Sequence, residues 1–579
     1  LYIKQRLRGT LSLNWRLFDG FAYHTDFTLN QSWEQDKIWG GAIYNNYLDD
    51  ETGAKLYAGN VEYTKRDSWG LRWTNTISYD FNFLPKQHRL NILLGHEVTD
   101  SGGSKMSISA SHFPSNFTKD NAFAMINQYD ADHGTSKFSS GVDIPGRILS
   151  FFGRANYTLM DRYLFTVTFR ADGSSKFSPE HRWGYFPAAA FGWRLSEETF
   201  MEGTKDWLDN LKVRLSYGTV GNTAISPYQT LATLSQSAYL FGEDSSNKFY
   251  VYSPTSIVNL DLGWEISKTV NAGVDFGLFN NKLNGYVEYY NTKTSDLLMK
   301  RTIPSFTGFN DIWQNIGETE TSGVEFNLNY NPVRTKDLNV DFSLNASRNW
   351  EKITALISGE DLPNNKWFIG EPLGVFYDYE KIGIWQLGEE EAAAKYNAKV
   401  GDIKVKDQNG DGSISAADDR IILGQVRPKW IASLGANVQY KNFDFSFNLN
   451  SRWGYLVKPA PYDDITMDGQ RWLPAVDYWT PDNPTNSYPR ADQASGYDTY
   501  RTSNGYQKGD HIKIQDITLG YSFENLLSKK VPIRKLRFYV QMRNIGYLYR
   551  AAEFDIIPEQ PDINYTVPSS YNFGVNVTF

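Results

Sequence analysis

The sequence lacks three features that would each indicate a large class of proteins. It contains no cysteine, so disulfides, thiolate metal sites and cysteine nucleophiles are excluded. No stretch approaches the roughly 18 consecutive apolar residues that a membrane-spanning helix needs, which excludes a helical membrane protein. No tract rich in lysine and arginine is present and the formal net charge is -8, so no nucleic acid is expected as a partner.

Aromatic residues are abundant in a chain that is polar on average. They make up 15% of the residues, whereas the hydrophobic total is 41% and the mean hydropathy is -0.50. A membrane β-barrel combines these properties, because its strands alternate lipid-facing apolar residues with lumen-facing polar ones.

A period of two in hydrophobicity recurs along the chain and predicts β-strands. Apolar and polar residues alternate from Leu7 to Trp15, a turn follows at 18–20, and the alternation resumes from Phe21 to Leu29. Similar hairpins are predicted around 147–172, 270–289 and 430–449. We count about 17 strands of about 10 to 15 residues, longer than the usual 5 to 6 of soluble sheets. Strands of that length suit a tilted membrane crossing.

The connections between these strands fall into two classes. Short turns are predicted at 18–20, 84–87, 160–162, 280–282 and 441–442. Long connections are predicted at roughly 34–65, 100–146, 221–265, 294–319, 350–427, 455–509 and 546–568. Short turns on one side and long loops on the other are typical of outer-membrane barrels, whose long loops face outward. The segments 350–427 and 455–509 are therefore predicted to be long extracellular loops.

The polar positions of these strands include many charged side chains. Because arginine facing hydrocarbon at mid-bilayer costs about 2 to 4 kcal/mol, we assign the charged positions to the lumen. They are Arg8, Asp26, Arg72, Asp80, Arg154, Arg170, Arg214, Asp341, Asp444 and Arg452. The alternative is a large soluble β-protein, such as a propeller or tandem sandwiches, whose strands are shorter. Since single-chain bacterial barrels have even strand numbers, we expect further strands and a lumen-filling segment before residue 1.

An acidic motif resembling an EF-hand loop begins at Asp407. Asp407, Asn409 and Asp411 occupy positions 1, 3 and 5, Ser413 offers its backbone carbonyl, and Asp418 stands at position 12. This donor set predicts a structural Ca²⁺ that rigidifies an external loop, and no other cofactor is expected. The alternative is a loop closed by Asx-turns without metal.

Aromatic residues crowd the long connection after residue 449. Rings at a polar mouth can stack on sugar faces or pack against a partner. We therefore predict a surface that faces the substrate or a partner, formed by Trp453, Trp472, Tyr478, Trp479 and Tyr488. The alternative is that these rings form an interfacial girdle or pack inside the loop.

A catalytic function is not expected. The histidines show no HExxH motif and no close spacing to carboxylates that would suggest a metal site. His24 beside Asp26 on one strand face is the nearest constellation, and a lumenal hydrogen bond is the simpler explanation for it. The chain is therefore predicted not to be an enzyme.

The last residues of the sequence form an alternating strand. In a closed barrel such a strand is held by hydrogen bonds on both edges. Its apolar stripe also resembles the C-terminal signal that the outer-membrane assembly machinery recognises. We therefore predict an assembly signal formed by Tyr571, Phe573, Val575, Val577 and Phe579.

Several segments together resemble the SusC/RagA-like TonB-dependent transporters of the bacterial outer membrane. They are FRADGSSKFSPEHRWGYFPAAAFGWRLSEE (169–198), LKVRLSYGTVGN (211–222), NIGETETSGVEF (315–326), GDIKVKDQNGDGSISAADDRIILG (401–424), DYWTPDNPTNSYPR (477–490) and the terminal NFGVNVTF. The resemblance implies that residues 1–579 are most of a 22-stranded transmembrane antiparallel β-barrel, without its plug domain, its TonB box and its first strands.

The same resemblance implies a function and a set of partners. The function would be TonB-dependent import of oligosaccharides or oligopeptides, with a SusD-like surface lipoprotein as a lid and the TonB complex acting through the plug. Other expected partners are the barrel-assembly machinery and outer-membrane lipid. One alternative is a passive porin or adhesin-like barrel that binds ligands without energy coupling. Another is a soluble surface glycan-binding β-protein, which would need no detergent for extraction.

Overall fold

The computed structural model describes most of the chain. The described residues are 1–41, 46–48, 55–57, 59–114, 116–227, 229–231, 234–240, 248–357, 359–459, 476–490, 500–524, 533–552, 556–559 and 567–578.

The described residues are dominated by β-strands, numbered here in chain order. They are β1 Tyr2–Phe18, β2 Phe21–Gly40, β3 Asn46–Leu48, β4 Lys55–Tyr57, β5 Gly59–Asp80, β6 His88–Phe113, β7 Ser136–Leu159, β8 Tyr163–Ser174, β9 Trp183–Arg194, β10 Leu208–Asn222, β11 Leu234–Leu240, β12 Lys248–Pro254, β13 Glu265–Leu278, β14 Leu283–Ser295, β15 Leu298–Thr302, β16 Asp311–Asn315, β17 Glu318–Arg334, β18 Leu338–Ala355, β19 Val375–Tyr379, β20 Lys381–Ile384, β21 Ile403–Val405, β22 Arg420–Gln425, β23 Trp430–Tyr440, β24 Phe443–Trp453, β25 Leu456–Val457, β26 Gln507–Lys508, β27 His511–Glu524, β28 Lys535–Arg550 and β29 Ser570–Thr578.

One large sheet contains 17 of these strands. The remaining short strands form two-stranded sheets in the connections, namely β3–β4, β11–β12, β15–β16, β19–β22, β20–β21 and β25–β26. The predicted all-β class and the predicted count of about 17 strands are confirmed.

Helices are short and lie in the connections. The α-helices are α1 Lys119–Ala124 and α2 Glu390–Lys395, and the 3-10 turns are Ile126–Gln128, Leu195–Glu197, Thr199–Thr204, Ser305–Thr307, Pro363–Asn365 and Arg501–Asn504. Thr118 caps α1, because its hydroxyl accepts a hydrogen bond from the Asn121 N–H over 3.3 Å. Within the described ranges, none of the helices is long and apolar enough to cross a membrane.

The chain divides into two compact units, which we describe separately. The first comprises Leu1–Phe191, Ser216–Lys268 and Thr294–Ile316, and the second comprises Gly192–Leu215, Thr269–Lys293 and Gly317–Phe579. In the first unit, antiparallel pairs join the strands in the order β1–β2–β5–β6–β7–β8. In the second unit the order is β17–β18–β23–β24–β27–β28–β29. Each long strand in these two series thus pairs with the next long strand in the chain, through a tight turn in some pairs and a long connection in others.

Left-handed backbone conformations make the tight turns. Met160 and Asp161 have φ angles of 52° and 57° between β7 and β8, as in a type I′ hairpin turn. Gly20 has a φ of 80°, and a Cβ atom there would lie 2.3 Å from the Asp80 carbonyl oxygen. Only glycine therefore fits at that turn. The turns predicted at 18–20, 84–87, 160–162, 280–282 and 441–442 all lie between paired or successive strands of the sheet.

Several strands are longer than the sequence predicts. β2, β5, β6 and β7 contain 20, 22, 26 and 24 residues, so they extend into the connections predicted at 34–65 and 100–146. The prediction was wrong there because the alternation fades where glycine and serine occupy both faces, as in Ser101–Ser104. Backbone pairing continues through that stretch regardless, with Ser104 opposite Asp67 and Val142.

The buried apolar clusters lie mostly among the connections rather than along the sheet. In the first unit they are Val61, Ala110, Phe113 and Ala122, and Phe177, Ile225 and Leu262; in the second, Tyr455, Val457, Tyr488, Ala552 and Ile556. By contrast, many apolar side chains of the sheet are exposed, with Leu11 at 75% and Phe573 at 78%. A long apolar face of this kind is typical of a surface that contacts lipid or another protein.

Candidate functional site

A row of polar side chains crosses the sheet of the first unit. The strand registers place its members directly opposite one another on successive strands: Ser12, Asp26, Thr74, Glu97, Ser150 and Asp172. Directly opposed residues share one face of a sheet. The sequence predicted lumenal positions for Asp26 and Arg170, and the registers place both on this polar face.

Arg170 is the main cation of this polar row. Its Nε donates to Asp172 over 2.7 Å, its Nη2 donates to the Ser150 hydroxyl over 2.8 Å, and the same nitrogen lies 3.5 Å from Glu97 Oε1. The guanidinium also stands 5.4 Å from the centre of the Phe152 ring. Arg170 thereby neutralises two carboxylates that would otherwise repel each other.

The geometry around His24 does not form a catalytic triad. The imidazole lies 2.5 Å from Asn14 Oδ1 and 2.6 Å from Asp26 Oδ2, while Ser12 donates its hydroxyl hydrogen bond to Asp26. In a Ser-His-Asp triad the imidazole must contact the hydroxyl to accept its proton. Here the carboxylate stands between them, so the imidazole is not placed to accept the proton of Ser12.

The second unit has similar ion pairs on its strands. Arg214 lies 3.1 Å from Asp275 and 2.5 Å from Glu288, whereas Arg537 pairs with Asp444, its Nε donating over 2.8 Å. Arg214 and Asp444 are among the positions that the sequence assigns to the lumen. Each unit therefore carries paired charges on strands of the sheet.

The motif beginning at Asp407 folds as a series of tight turns within the connection between β18 and β23. The Asp407 carboxylate accepts hydrogen bonds from the Gly410 and Gly412 N–H groups over 2.7 and 2.8 Å. Asp411 accepts from both the backbone and the hydroxyl of Ser413 over 2.8 Å. Hydrogen bonds from the Asn409 amide and from Ser413 hold the pKa of Asp411 below its usual value.

Asp419 closes this loop from within, a role that the sequence prediction did not give it. Its side chain is fully buried, and its two oxygens accept from Gln408 N and Ser415 N over 2.8 and 2.7 Å. The predicted ligand Asp418 instead accepts from the Ser415 hydroxyl over 2.8 Å. The sequence signal for Asp419 is its position next to Asp418. The spacing of the EF-hand pattern does not select it, because that spacing places Asp418 at position 12.

No metal cluster is formed by the side chains that the structure describes. Among them, no group of three or more histidine, aspartate or glutamate residues is arranged to hold an ion. The oxygens of Asp407 and Asp411 accept hydrogen bonds from nearby N–H groups. These contacts are expected both in a loop closed by Asx-turns and in a calcium loop, so they do not distinguish the two. Calcium binding at Asp407, Asn409, Asp411, Ser413 and Asp418 stays a prediction.

The predicted aromatic surface divides into buried and exposed members. Tyr488 is 2% exposed in the apolar cluster of the second unit, and Trp479 is 5% exposed, its Nε1 donating to Gln386 Oε1 over 2.9 Å. The rings of these two residues pack inside the loop segment, which is the alternative to a ligand-facing surface, and a role for them in binding stays a prediction. Tyr478 is 45% exposed and Trp453 stacks on Tyr549 at 5.3 Å. The last member, Trp472, lies outside the described residues.

A buried polar cluster, which no sequence pattern predicted, lies at the loop-side ends of β27 and β28. Glu559 Oε2 accepts from the Tyr547 hydroxyl over 2.5 Å, and Glu559 Oε1 lies 3.1 Å from Lys513 Nζ and 3.5 Å from His511 Nε2. Burial opposes ionisation of Glu559. The contacts with His511, Tyr547 and Lys513 outweigh that burial and hold the pKa of Glu559 far below its usual value.

The predicted assembly signal lies on β29. This strand pairs with β28 from Arg543 opposite Ser570 to Lys535 opposite Thr578. Tyr571, Phe573, Val575 and Val577 are all exposed on its apolar face, and Phe579 lies outside the described residues. Recognition of these residues by an assembly machinery stays a prediction.

Comparisons with known proteins give one consistent family. A family model described as "TonB dependent receptor-like, beta-barrel" matches residues 3–545. TonB-dependent receptor P26 of Formosa agariphila is 32% identical over 595 residues, which covers 96% of this chain and 59% of that protein. TonB-dependent receptor SusC of Bacteroides thetaiotaomicron is 34% identical over 397 residues, covering 66% of this chain and 38% of that protein.

The fold is also found among solved structures. The structure of the RagAB peptide transporter superposes with a TM-score of 0.81 at 22% identity, covering 100% of this chain and 62% of that one. The predicted barrel fold and the resemblance to SusC and RagA are therefore confirmed. The chain spans less than two thirds of the length of each of these relatives.

Proposed function

Because this chain belongs to the TonB dependent receptor-like β-barrel family, we propose that it is the barrel of an importer in the bacterial outer membrane. The importer carries oligosaccharides or oligopeptides that are too large for simple porins. The family match over residues 3–545 is the observation that carries this proposal.

The two faces of the sheet support a membrane location. One face carries exposed apolar side chains such as Leu11 and Phe573, which lipid would cover. The other face carries the polar row with Arg170 and Asp172, whose charges are paired and would line a hydrated lumen. A soluble β-protein would gain nothing from leaving such a long apolar face uncovered.

We further propose that a SusD-like lipoprotein covers the loop side and that TonB supplies the energy. Support comes from the relative named SusC, which is a TonB-dependent receptor, and from the long connections at one end of the strands. The exposed Tyr478 is the predicted aromatic residue best placed to contact such a partner or a substrate.

Uptake measured with and without TonB tests the proposal. A strain that expresses the protein should accumulate labelled oligosaccharides or oligopeptides only when TonB is functional, and a strain lacking the protein should not. Uptake that persists without TonB would instead identify a passive porin. Uptake that is the same in both strains would reject import altogether.

Extraction and gel migration test the membrane barrel separately. The protein should require detergent for extraction and should migrate differently on a gel before and after heating, because a closed barrel resists unfolding by detergent at room temperature. Extraction in buffer alone would favour the soluble glycan-binding alternative.

A further inference from the structure

A cavity of about 290 Å³ lies at the loop-side ends of β23 and β24, within the second unit. It is bounded by the segment that leads into β19, by β22, and by residues that flank β25 and β26. None of the predicted metal-binding or aromatic site residues lines it. Its volume is near the lower limit of about 300 to 1,000 Å³ for small-molecule sites, enough for one or two residues of a peptide.

The wall of the cavity is aliphatic and is held by paired strands. Val375 lies opposite Gln425, and Leu456 lies opposite Lys508. Leu456 packs closely on β22, since a Cβ atom at Gly424 would come within 2.8 Å of its Cδ1. The wall is therefore formed before any ligand arrives, which lowers the entropy cost of binding.

Charges of both signs surround this apolar wall. Lys429, Lys508, Glu371 and Asp510 all line the cavity. Asp510 Oδ1 accepts the Gly454 N–H over 2.6 Å, which fixes that carboxylate. For the side chains of Lys429, Lys508 and Glu371, the described part of the chain supplies no ion-pair or hydrogen-bond partner. A ligand with charges of both signs could pair with them.

We propose that this cavity binds a short zwitterionic peptide, or the charged end of a longer one. An apolar side chain of the peptide lies on the wall formed by Val375 and Leu456. Its carboxylate pairs with the two lysines, and its ammonium pairs with Glu371 and Asp510. This inference rests on the proposed importer function and assigns it peptides as the substrate class.

A neutral sugar fits the cavity less well. Sugar sites commonly present an open aromatic face, but the one ring in this wall, Tyr455, is 7% exposed. Its ring is covered by Gly509, where a Cβ atom would come within 2.4 Å of it. An uncharged glycan would also leave Lys429, Lys508 and Glu371 without counter-charges.

Calorimetric titration of the detergent-purified protein with the dipeptide Leu-Leu tests the proposal. We expect Leu-Leu to bind, and N-acetyl-Leu-Leu-amide, which lacks both charges, to bind at least about tenfold more weakly. Binding of Leu-Leu should weaken as ionic strength rises, because the contacts are charged and partly exposed. Equal binding of the capped and uncapped peptides would overturn the proposal, as would the absence of Leu-Leu binding.

Variants localise the binding to this cavity. The double variant Lys429→Gln with Lys508→Gln should weaken Leu-Leu binding by about tenfold or more. Lys395→Gln, on the exposed end of α2, is the matched control and should leave the affinity unchanged. Unchanged affinity in the double variant would overturn the assignment. The comparison of Leu-Leu with its capped form uses the unaltered protein. The outcome of that comparison therefore does not depend on whether a variant folds.

Two further ligands separate this proposal from its competitors. Maltotetraose that binds and displaces Leu-Leu would make the cavity a glycan site, and free leucine that binds more tightly than Leu-Leu would make it an amino-acid site. Leu-Leu binding without TonB-dependent uptake would overturn the importer and leave the cavity assignment intact. TonB-dependent uptake of oligosaccharides without any Leu-Leu binding would overturn the cavity assignment and leave the importer function intact.

Discussion

The hydroxyl of Tyr547 donates a 2.5 Å hydrogen bond to the carboxylate of Glu559, joining β28 to the connection that leads into β29. Lys513 lies on the other side of the same carboxylate, with its ammonium 3.1 Å away and its side chain 8% exposed. A buried ammonium needs its counter-charge, because removing one partner of such a pair leaves the other charge unsolvated. Glu559 is therefore a structural anchor for the connection.

Replacing Glu559 with glutamine should loosen that connection. We expect a loss of about 3 kcal/mol of local stability, because Lys513 would remain charged and buried. Hydrogen exchange of the amides in Ile556–Glu559 should become faster. The control is Asp311→Asn, which breaks an exposed ion pair with Lys300 and should cost at most about 1 kcal/mol. Equal effects of the two substitutions would contradict the anchoring role.

The same anchor should be sensitive to acid. The folded-state pKa of Glu559 is depressed, so its contribution to stability is present above the ordinary carboxyl pKa of about 4.3 and is lost as the pH falls towards the folded value. Exchange of Ile556–Glu559, corrected for intrinsic rates, should be constant from about pH 7 to 5 and increase below about pH 4. The Glu559→Gln protein should lack this acid-dependent increase. An identical pH profile in both proteins would argue against ionised Glu559.

Replacing Arg170 with methionine should destabilise the sheet of the first unit. The substitution leaves Glu97 and the buried Asp172 without their shared cation. We expect a loss of about 1 to 3 kcal/mol, less than for a fully buried pair because the guanidinium is partly exposed. The temperature at which the folded form disappears from a gel should fall. Adding Asp172→Asn should restore part of the loss.

An exposed pair provides the matched control for Arg170. Arg89 pairs with Asp161 at a turn, where both side chains are more than half exposed. Arg89→Met should therefore change stability by less than about 1 kcal/mol. If Arg89→Met lowers the transition temperature as much as Arg170→Met, the polar row has no special role in stability.

The alternation of residues predicted the faces of the strands but could not predict their neighbours. Asp26 and Arg170 were assigned to the polar face from the period of two alone, and the structure agrees. The pairing of Arg170 with Glu97 depends on the registers of β6, β7 and β8, which alternation leaves undetermined because a shift by two residues preserves the faces. Contacts across strands were therefore beyond the reach of the sequence pattern.

Connections were the least predictable part of the chain. Glu559 reaches Lys513 from a segment without periodic pattern, and Asp419 rather than Asp418 is the buried acid of its loop. Both contacts result from how irregular segments close on themselves, which spacing does not encode. The buried rings of Trp479 and Tyr488 show the same limit, because a loop of this length has its own small core.

Trp479 and its neighbour Tyr478 should respond differently to substitution by alanine. Trp479→Ala removes a buried ring that lies against Gly401 and donates to Gln386, so it should cost about 3 kcal/mol of local stability and increase proteolysis of the loop. Tyr478→Ala should leave proteolysis unchanged, since Tyr478 is 45% exposed and adds little to the packing of the loop. If Tyr478 contacts a partner or a ligand, Tyr478→Ala should weaken that binding without increasing cleavage of the loop. Equal protease sensitivity of the two variants would contradict the burial difference.

The predicted calcium site can be separated from the turns that close its loop. Addition of Ca²⁺ should raise the unfolding temperature of the protein, and Asp407→Ala combined with Asp411→Ala should abolish that shift. Ser451→Ala, in β24 outside the loop, should leave the shift intact. A calcium-induced shift that persists in the double variant would reject these ligands, and the absence of any shift would favour the Asx-turn alternative.

The apolar stripe of β29 should matter for assembly as well as for packing. Deleting Phe579 removes the last ring of the alternating series that includes Phe573 and Val575, whose exposed side chains show that the sheet itself does not bury them. We expect the deletion to reduce the amount of heat-modifiable protein in the outer-membrane fraction while synthesis stays unchanged. Replacing Phe579 with tyrosine keeps the ring and should preserve assembly. Normal membrane levels of the deletion protein would contradict an assembly signal in this strand.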